Sequence, residues 1–251
     1  MKIEQGVLNH FTLRPVGVGI NSAQYAMVNI GGQNQRCVVK PVGEREIAAE
    51  CFCALLGDAL SLPTLTPVVV THPVDGNLWF GSRDAAYPSL SARLRLGSTA
   101  DQSQLFALAE VLSTWSQVGH VISFDELVAN GDRNPGNVLW NGLVFAIIDH
   151  EPCLGNKPKV SNRLALFATA NFQASLVAGV GSSATASALT QQAVLSAGQA
   201  VWDMIQNEFQ IIPQAVGQHH GTCEMLAKQH LVSLPHYAAH AMSPLLQGAA
   251  P

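Results

Sequence analysis

The chain is 251 residues long, carries a formal net charge of −4, and is 48% hydrophobic but only 12% charged, about half the roughly 25% of an average soluble protein. That length supports a substantial core, as one large domain or two lobes. The absence of any Lys/Arg cluster argues against a nucleic-acid or anionic-membrane surface, and the scarcity of charge means that each one in an apolar setting needs a reason.

The first residues, MKIEQGVLNHFTLRPVGVG, lack the apolar region of a signal peptide. No apolar run reaches the roughly 18 residues of a membrane span; ASLVAGVGSSATASAL is broken by its serines and threonines. A cytoplasmic setting is expected, in which Cys37, Cys51, Cys53, Cys153 and Cys223 are buried free thiols.

From Phe11 to Pro41 the chain reads as strands, TLRPVGV and AQYAMVNI around the segment GVGINS, then RCVVKP after a turn at Gly31 and Gly32. A helix is expected over about residues 44 to 60, with Ile47, Cys51, Leu55 and Leu56 as its apolar stripe and Glu46, Glu50 and Asp58 off it. PVVVTH and NLWFGS follow as short strands joined by a VDGN turn. After Gly81 the texture becomes helical. DQSQLFALAEVLSTW opens with Asp101 and Gln104 at capping-box spacing and lines Leu105, Leu108, Leu112 and Trp115 on one face. SFDELVAN reads as a short helix. Beyond about residue 160 the expectation is helix throughout, ending in a His-rich segment whose His219, His220, His230, His236 and His240 form no zinc motif.

Between these helical parts lies NGDRNPGNVLWNGLVFAIIDH, residues 130 to 150. Its Asn141-Gly142 pair signals a two-residue hairpin loop. With Trp140 paired to Leu143, Asp149 folds back beside the loop that carries Asp132 and Asn137. Two carboxylates and an amide oxygen then make an oxygen-rich site suited to Mg²⁺, which would relieve the repulsion between like charges. The plainer alternative is that Asp132 caps a turn with Arg133 as its ion-pair partner and Asp149 ends a strand in solvent.

The combination of D-R-x-x-x-N, a hairpin and a strand-terminal Ile-Asp matches the catalytic and metal segments of a protein-kinase-like site. In that arrangement Asp132 accepts or orients the proton of the attacking hydroxyl, and Asn137 and Asp149 hold the metal at the nucleotide phosphates. A phosphate clamp is available upstream. Gly17, Gly19, Asn21 and Ser22 lie between two strands, where small residues let backbone N–H groups approach phosphates. Lys40 ends a strand otherwise too apolar for a charge. An ammonium next to a phosphate gains on the order of 4 kcal/mol per unit charge at an effective dielectric of about 20. Glu50 is its natural partner, with Glu46 one turn earlier as the fallback.

These segments resemble the HipA-like branch of the protein-kinase-like superfamily, whose catalytic loop is also similar to that of the phosphatidylinositol 3- and 4-kinases. The resemblance is carried by VVKP around Lys40, AAECFCALLGDALSLPTLTP around Glu50, LWFGS, ANGDRNPGNVLW and AIIDHE, in family order over about residues 35 to 155. It implies an α+β, two-lobed fold. Residues 1–83 would be a strand-rich N-lobe, and residues 84–251 a helical C-lobe with the catalytic loop and metal-binding hairpin. It further implies ATP between the lobes, Phe80 and Gly81 in a hinge along the adenine, and transfer to a Ser or Thr hydroxyl of a protein. Asn134 replaces the family's usual His, and His150-Glu151 follows the metal acid where many kinases carry Phe-Gly or His-Gly. The alternatives are a nucleotide-binding pseudokinase or partner-binding module, and nucleotidyl, lipid or small-molecule phosphoryl transfer on the same fold.

Overall fold

In a computed structural model of the chain, residues 1–16, 23–96, 101–155 and 198–232 are described. Their contacts fall into two units. The first is Met1–Ala86 with Ile147–Glu151 and Gln199–Glu224, and the second is Tyr87–Ala146 with the described residues of 152–198 and 225–251.

The first unit is built on five strands: β1 (Glu4–Pro15), β2 (Gln24–Ile30), β3 (Gln33–Lys40), β4 (Pro67–Thr71) and β5 (Leu78–Arg83). They close into a barrel in the order β1-β2-β3-β5-β4, with β1 parallel to β4 and the other neighbours antiparallel. Closure leaves no edge strand to template unwanted pairing. Leu8, Ala26, Val28, Cys37, Val39, Val68 and Val70 fill the interior, and alternation along each strand turns their neighbours outward. Gly31 and Gly32, with φ of 59° and 83°, make the expected β2–β3 turn, a conformation in which a Cβ is strained. β1 begins at Glu4, seven residues before the expected start. Its early run EQGVLNH hides strand character behind polar outward positions and Gly6, against which Val28 and Asn29 pack so closely that a Cβ would collide.

Helix α1 (Glu44–Ala59) departs from the amphipathic stripe expected of it, because every residue from Ile47 to Gly57 is buried. The barrel lies under one side. On the other, Phe52 meets the rings of Trp202 and Phe209 at 6.4 Å and His220 at 6.1 Å. Trp202 and Phe209 belong to α5 (Gln199–Gln210), which precedes α6 (Gln214–Gly217) and a helical run over residues 220–232, here α7. The Ile3 N–H donates to Glu208 at 2.8 Å, and the Gln5 side-chain amide to the Ile211 carbonyl at 2.7 Å, tying β1 to α5 and the turn after it. All five cysteines are buried, and none is in a disulfide. Burial pushes the Cys37 thiol up to about 11 and that of Cys51 well above the ordinary range.

In the second unit α2 (Leu90–Arg93), α3 (Gln102–Ser113) and α4 (Val118–Leu127) precede a turn at Pro135–Asn137 and β6 (Val138–Trp140). The capping box on α3 forms as expected, with Asp101 accepting from the Gln104 N–H and Gln104 accepting from the Asp101 N–H, both at 2.9 Å. Leu108, Leu112 and Trp115 of its stripe are buried, and the side chain of Leu105 lies outside the described set. α4 starts at Val118 rather than Ser123. The segment VGHVI has poor helix propensity, but burial of Gly119 and Val121 overrides it.

β6 pairs with β7 (Phe145–Ile147). The hairpin closes two residues later in register sum than expected. The Asn141 N–H donates to the Val144 carbonyl at 3.3 Å, so Gly142-Leu143 is the loop. The Asn141 side chain accepts from the N–H groups of Leu143 and Val144, both at 2.9 Å, and this cap holds Asn141 outside the loop. No helix among the described residues is long and apolar enough to cross a membrane. The expectations for residues 17–22, residues 156–197, His236 and His240 fall outside the described residues.

Candidate active site

In the first unit Lys40 sits at the end of β3, on the outward face of the barrel. Its Nζ donates to Glu50 Oε1 at 3.2 Å and to Asp149 Oδ1 at 2.5 Å. Glu50 reaches it from α1, where it is buried rather than on a polar face. Glu46 is only half-buried, and the bonds of Lys40 go to Glu50. The local reason Asp149 arrives is a short parallel bridge. Thr64 pairs with Ile147, and the Ile147 N–H donates to the Pro63 carbonyl at 2.9 Å. Two residues on, Asp149 adopts a left-handed φ of 67°, a conformation that costs a non-glycine residue on the order of 1–3 kcal/mol and is held only by its surroundings.

The second oxygen of Glu50 explains part of that holding. Oε2 accepts the His150 N–H at 2.9 Å, and the buried His150 ring brings Nδ1 to within 3.5 Å of the same atom. Glu50 therefore joins Lys40 to the backbone immediately after Asp149. Burial works against the Lys40 ammonium, but Glu50 and then Asp149 outweigh it and hold its pKa well above the ordinary lysine value. Burial likewise opposes the Glu50 carboxylate, yet Lys40 and then His150 bring it down to about 2. For Glu151 the balance is reversed. Burial pushes it up against the pull of Lys40, and Asp149, Glu50 and Glu46 add their repulsion.

Beside these residues lies a cleft of about 260 Å³ lined in part by Glu50, Ala54, Phe80, Ser82, Asp149 and His150. Phe80 and Gly81 lie within β5, opposite Lys40 and Val39 on one side and Val69 and Val68 on the other. Residues 80–82 are paired on both sides, so their backbone groups are largely taken and Phe80 and Gly81 belong to a barrel strand. The Phe80 side chain faces the cleft, whereas Gly81 faces the barrel interior, where a Cβ would come within 2.8 Å of Val70 Cγ2. Gly17, Gly19, Asn21 and Ser22 lie outside the described residues. They span the gap between Val16, whose N–H donates, and Ala23, whose carbonyl accepts at 3.1 Å.

The second unit holds the loop of Asp132 and Asn137. Asp132 is exposed and Asn137 buried. Asn137 donates its Nδ2 to the Asp132 carbonyl at 3.0 Å, which leaves its Oδ1 as the side chain's acceptor. Asn134 accepts the Gly136 N–H at 2.8 Å and donates to the Asp132 carbonyl at 2.9 Å. Asn134 thus caps the turn itself. Arg133 does not pair with Asp132. It is fully buried and forks onto Asp125 of α4, with Nη2 to Oδ1 at 3.0 Å and Nε to Oδ2 at 3.1 Å. Asp125 and Asn130 were not singled out from the sequence, and His150 was noted only for its place after Asp149, not as a partner of Glu50. Asp125 and Asn130 could have been found as polar residues inside the apolar text of α4 and its end. The His150 contact uses a backbone N–H, which has no residue signature.

Lys40, Glu50 and Asp149 are therefore gathered within the first unit, and Asp132 with Asn137 within the second. Among the described residues no three or more His, Cys, Asp or Glu side chains cluster as a metal site.

No protein-family model matches the sequence, and neither does any curated protein. Among solved structures the fold is similar to that of the Helicobacter pylori proinflammatory kinase CtkA. The TM-score is 0.54 at 12% identity, covering 91% of this chain and 96% of that one. Looser likenesses, with TM-scores of 0.32 and 0.34, are to a thermostable mutant of the aminoglycoside phosphotransferase APH(4)-Ia. One is the apo form, at 12% identity over 86% of this chain and 94% of that one; the other is a ternary complex with ADP and hygromycin B, at 13% over 88% and 94%. At such identities the likeness to CtkA speaks to fold alone. The chain has a protein-kinase-like fold of mixed α+β class, strand-rich at first and helical afterwards.

Proposed function

We propose that the chain is an ATP- and Mg²⁺-dependent phosphotransferase of the HipA-like type, a two-lobed protein Ser/Thr kinase. The observation that carries this reading is Lys40 held between Glu50 and Asp149, three residues that lie 10 and 109 positions apart and answer to the three charged parts such an enzyme needs near its phosphates. Lys40 would clamp the nucleotide phosphates, with Glu50 fixing its position. The segment containing Gly17, Gly19, Asn21 and Ser22 would cover the phosphates, and Phe80 would wall the cleft.

Mg²⁺ would be held by the Asp149 carboxylate and the Asn137 amide oxygen, Asn137 Nδ2 being taken up by the Asp132 carbonyl. Mg²⁺ in phosphoryl-transfer sites uses one or two protein oxygens and completes its shell with phosphates and water, so no larger acidic cluster is required. When bound, the ion would neutralise charge developing on the phosphates. Asp132, exposed on its loop, would accept or orient the proton of the acceptor hydroxyl. That hydroxyl oxygen forms a bond to the γ-phosphorus while the bond to the β–γ bridging oxygen breaks, and ADP leaves.

The test is ATP consumption with mass analysis of the acceptor after incubation with a cell lysate. Phosphate added to a protein Ser or Thr is the expected result. AMP added to protein would mean nucleotidyl transfer, phosphate on a lipid or small molecule would correct the acceptor, and nucleotide binding with no modification would make the chain a pseudokinase.

A further inference from the structure

We propose that Asp125 is a positioning residue for the loop that carries Asp132 and Asn137, acting through Asn130 and Arg133; the proposal rests on the phosphotransferase reading. From its one carboxylate two hydrogen-bond chains run, each ending on the backbone of one of those residues. In the first, Asp125 Oδ1 accepts from Asn130 Nδ2 at 3.0 Å, and Asn130 Oδ1 accepts the Asp132 N–H at 3.0 Å. In the second, Asp125 accepts from Arg133 Nε and Nη2, and Arg133 Nη1 donates to the Asn137 carbonyl at 2.9 Å. The bond from Asn137 Nδ2 to the Asp132 carbonyl closes the two chains into a ring.

Stability alone is a poor reason for this arrangement. Asp125 and Arg133 are both fully buried, and apolar residues of similar volume serve at least as well as a buried ion pair in holding a fold together. Asp125 also stands in the last turn of α4, where the helix dipole disfavours a carboxylate. What apolar residues cannot supply is direction. Forked bonds fix the two ends of the loop by named atoms, and a buried, fully bonded network holds them to one geometry. Phosphoryl transfer depends on such positioning more than on covalent participation of the protein.

The experiment measures steady-state ATP turnover, ATP affinity and amide hydrogen exchange on the wild type, Asp125→Asn and Asn130→Ala. Asn130→Ala cuts the chain to Asp132 without stranding the Arg133 charge. Both variants are expected to lower kcat about 10- to 100-fold, the usual effect of losing an outer-shell partner. ATP affinity is expected to be retained, and amide exchange to quicken over residues 130–137 but not in α3. Unchanged kcat with unchanged loop exchange would overturn the proposal, as would a fall in kcat matched by equally quickened exchange in α3, the mark of general destabilisation. If Asp125→Asn does not fold, Asn130→Ala decides. A wild type that turns over no ATP overturns the phosphotransferase reading instead, and loop exchange then decides the positioning role by itself.

Discussion

A lysine at the end of an apolar strand keeps its charge only if carboxylates come to it, and at Lys40 two do. Removing the cation strands both acids in a largely dry setting. Lys40→Ala should therefore cost about 3–5 kcal/mol in urea unfolding as well as weaken ATP binding; unchanged affinity would move the phosphate clamp elsewhere. Glu50 makes the same argument through pH. Its folded-state carboxyl is held below the ordinary 4.5, at about 2, so its contribution is complete above that ordinary value and disappears as pH falls through the folded one. The stability gap between wild type and Glu50→Gln should be constant from neutral pH down to about 5 and narrow between about 4.5 and about 2. A gap that stays constant through that window would contradict the pairing. Of these contacts, the link from Lys40 to Glu50 was legible because a strand, a short loop and a helix separate them by 10 positions. The link from Glu50 to the His150 amide, 100 positions away, was not.

Elements were most readable where local chemistry sets their ends. Asp101 and Gln104 announce the start of α3, and Asp101→Ala should lower stability by about 0.5–2 kcal/mol with no effect beyond that helix, read from the thermal midpoint. Readability failed where tertiary burial overrules pattern. α1 carries a buried face on nearly every side, so its stripe was drawn too narrow and Glu50 was placed on a polar side that is in fact buried. β5 reads as a strand from its sequence, and only the family resemblance implied a hinge at LWFGS; in the barrel Gly81 is there to admit Val70. Gly81→Ala should accordingly overpack the core and cost about 1–3 kcal/mol in urea unfolding, the methyl group meeting Val70 Cγ2 at 2.8 Å. An unchanged midpoint would show that the barrel yields at that point.

At the scale of the whole molecule, the mixed α+β class and its strand-rich beginning were legible because the hydrophobic period changes from that of strands to that of helices along the chain. The acid at 149 is brought to the lysine at 40 by a bridge to Pro63 and Thr64, a stretch whose sequence signals only the end of a helix. The plainer alternative paired Arg133 with Asp132, but Arg133 is the buried partner of Asp125, since adjacent residues on a loop need not share a direction. The most direct test of the account is Mg²⁺-dependent ATP turnover in the wild type against Asp149→Asn and Asp132→Asn. The account predicts turnover by the wild type alone, with Asp132→Asn still stabilised thermally by ATP and Mg²⁺. Full activity in either variant would contradict it.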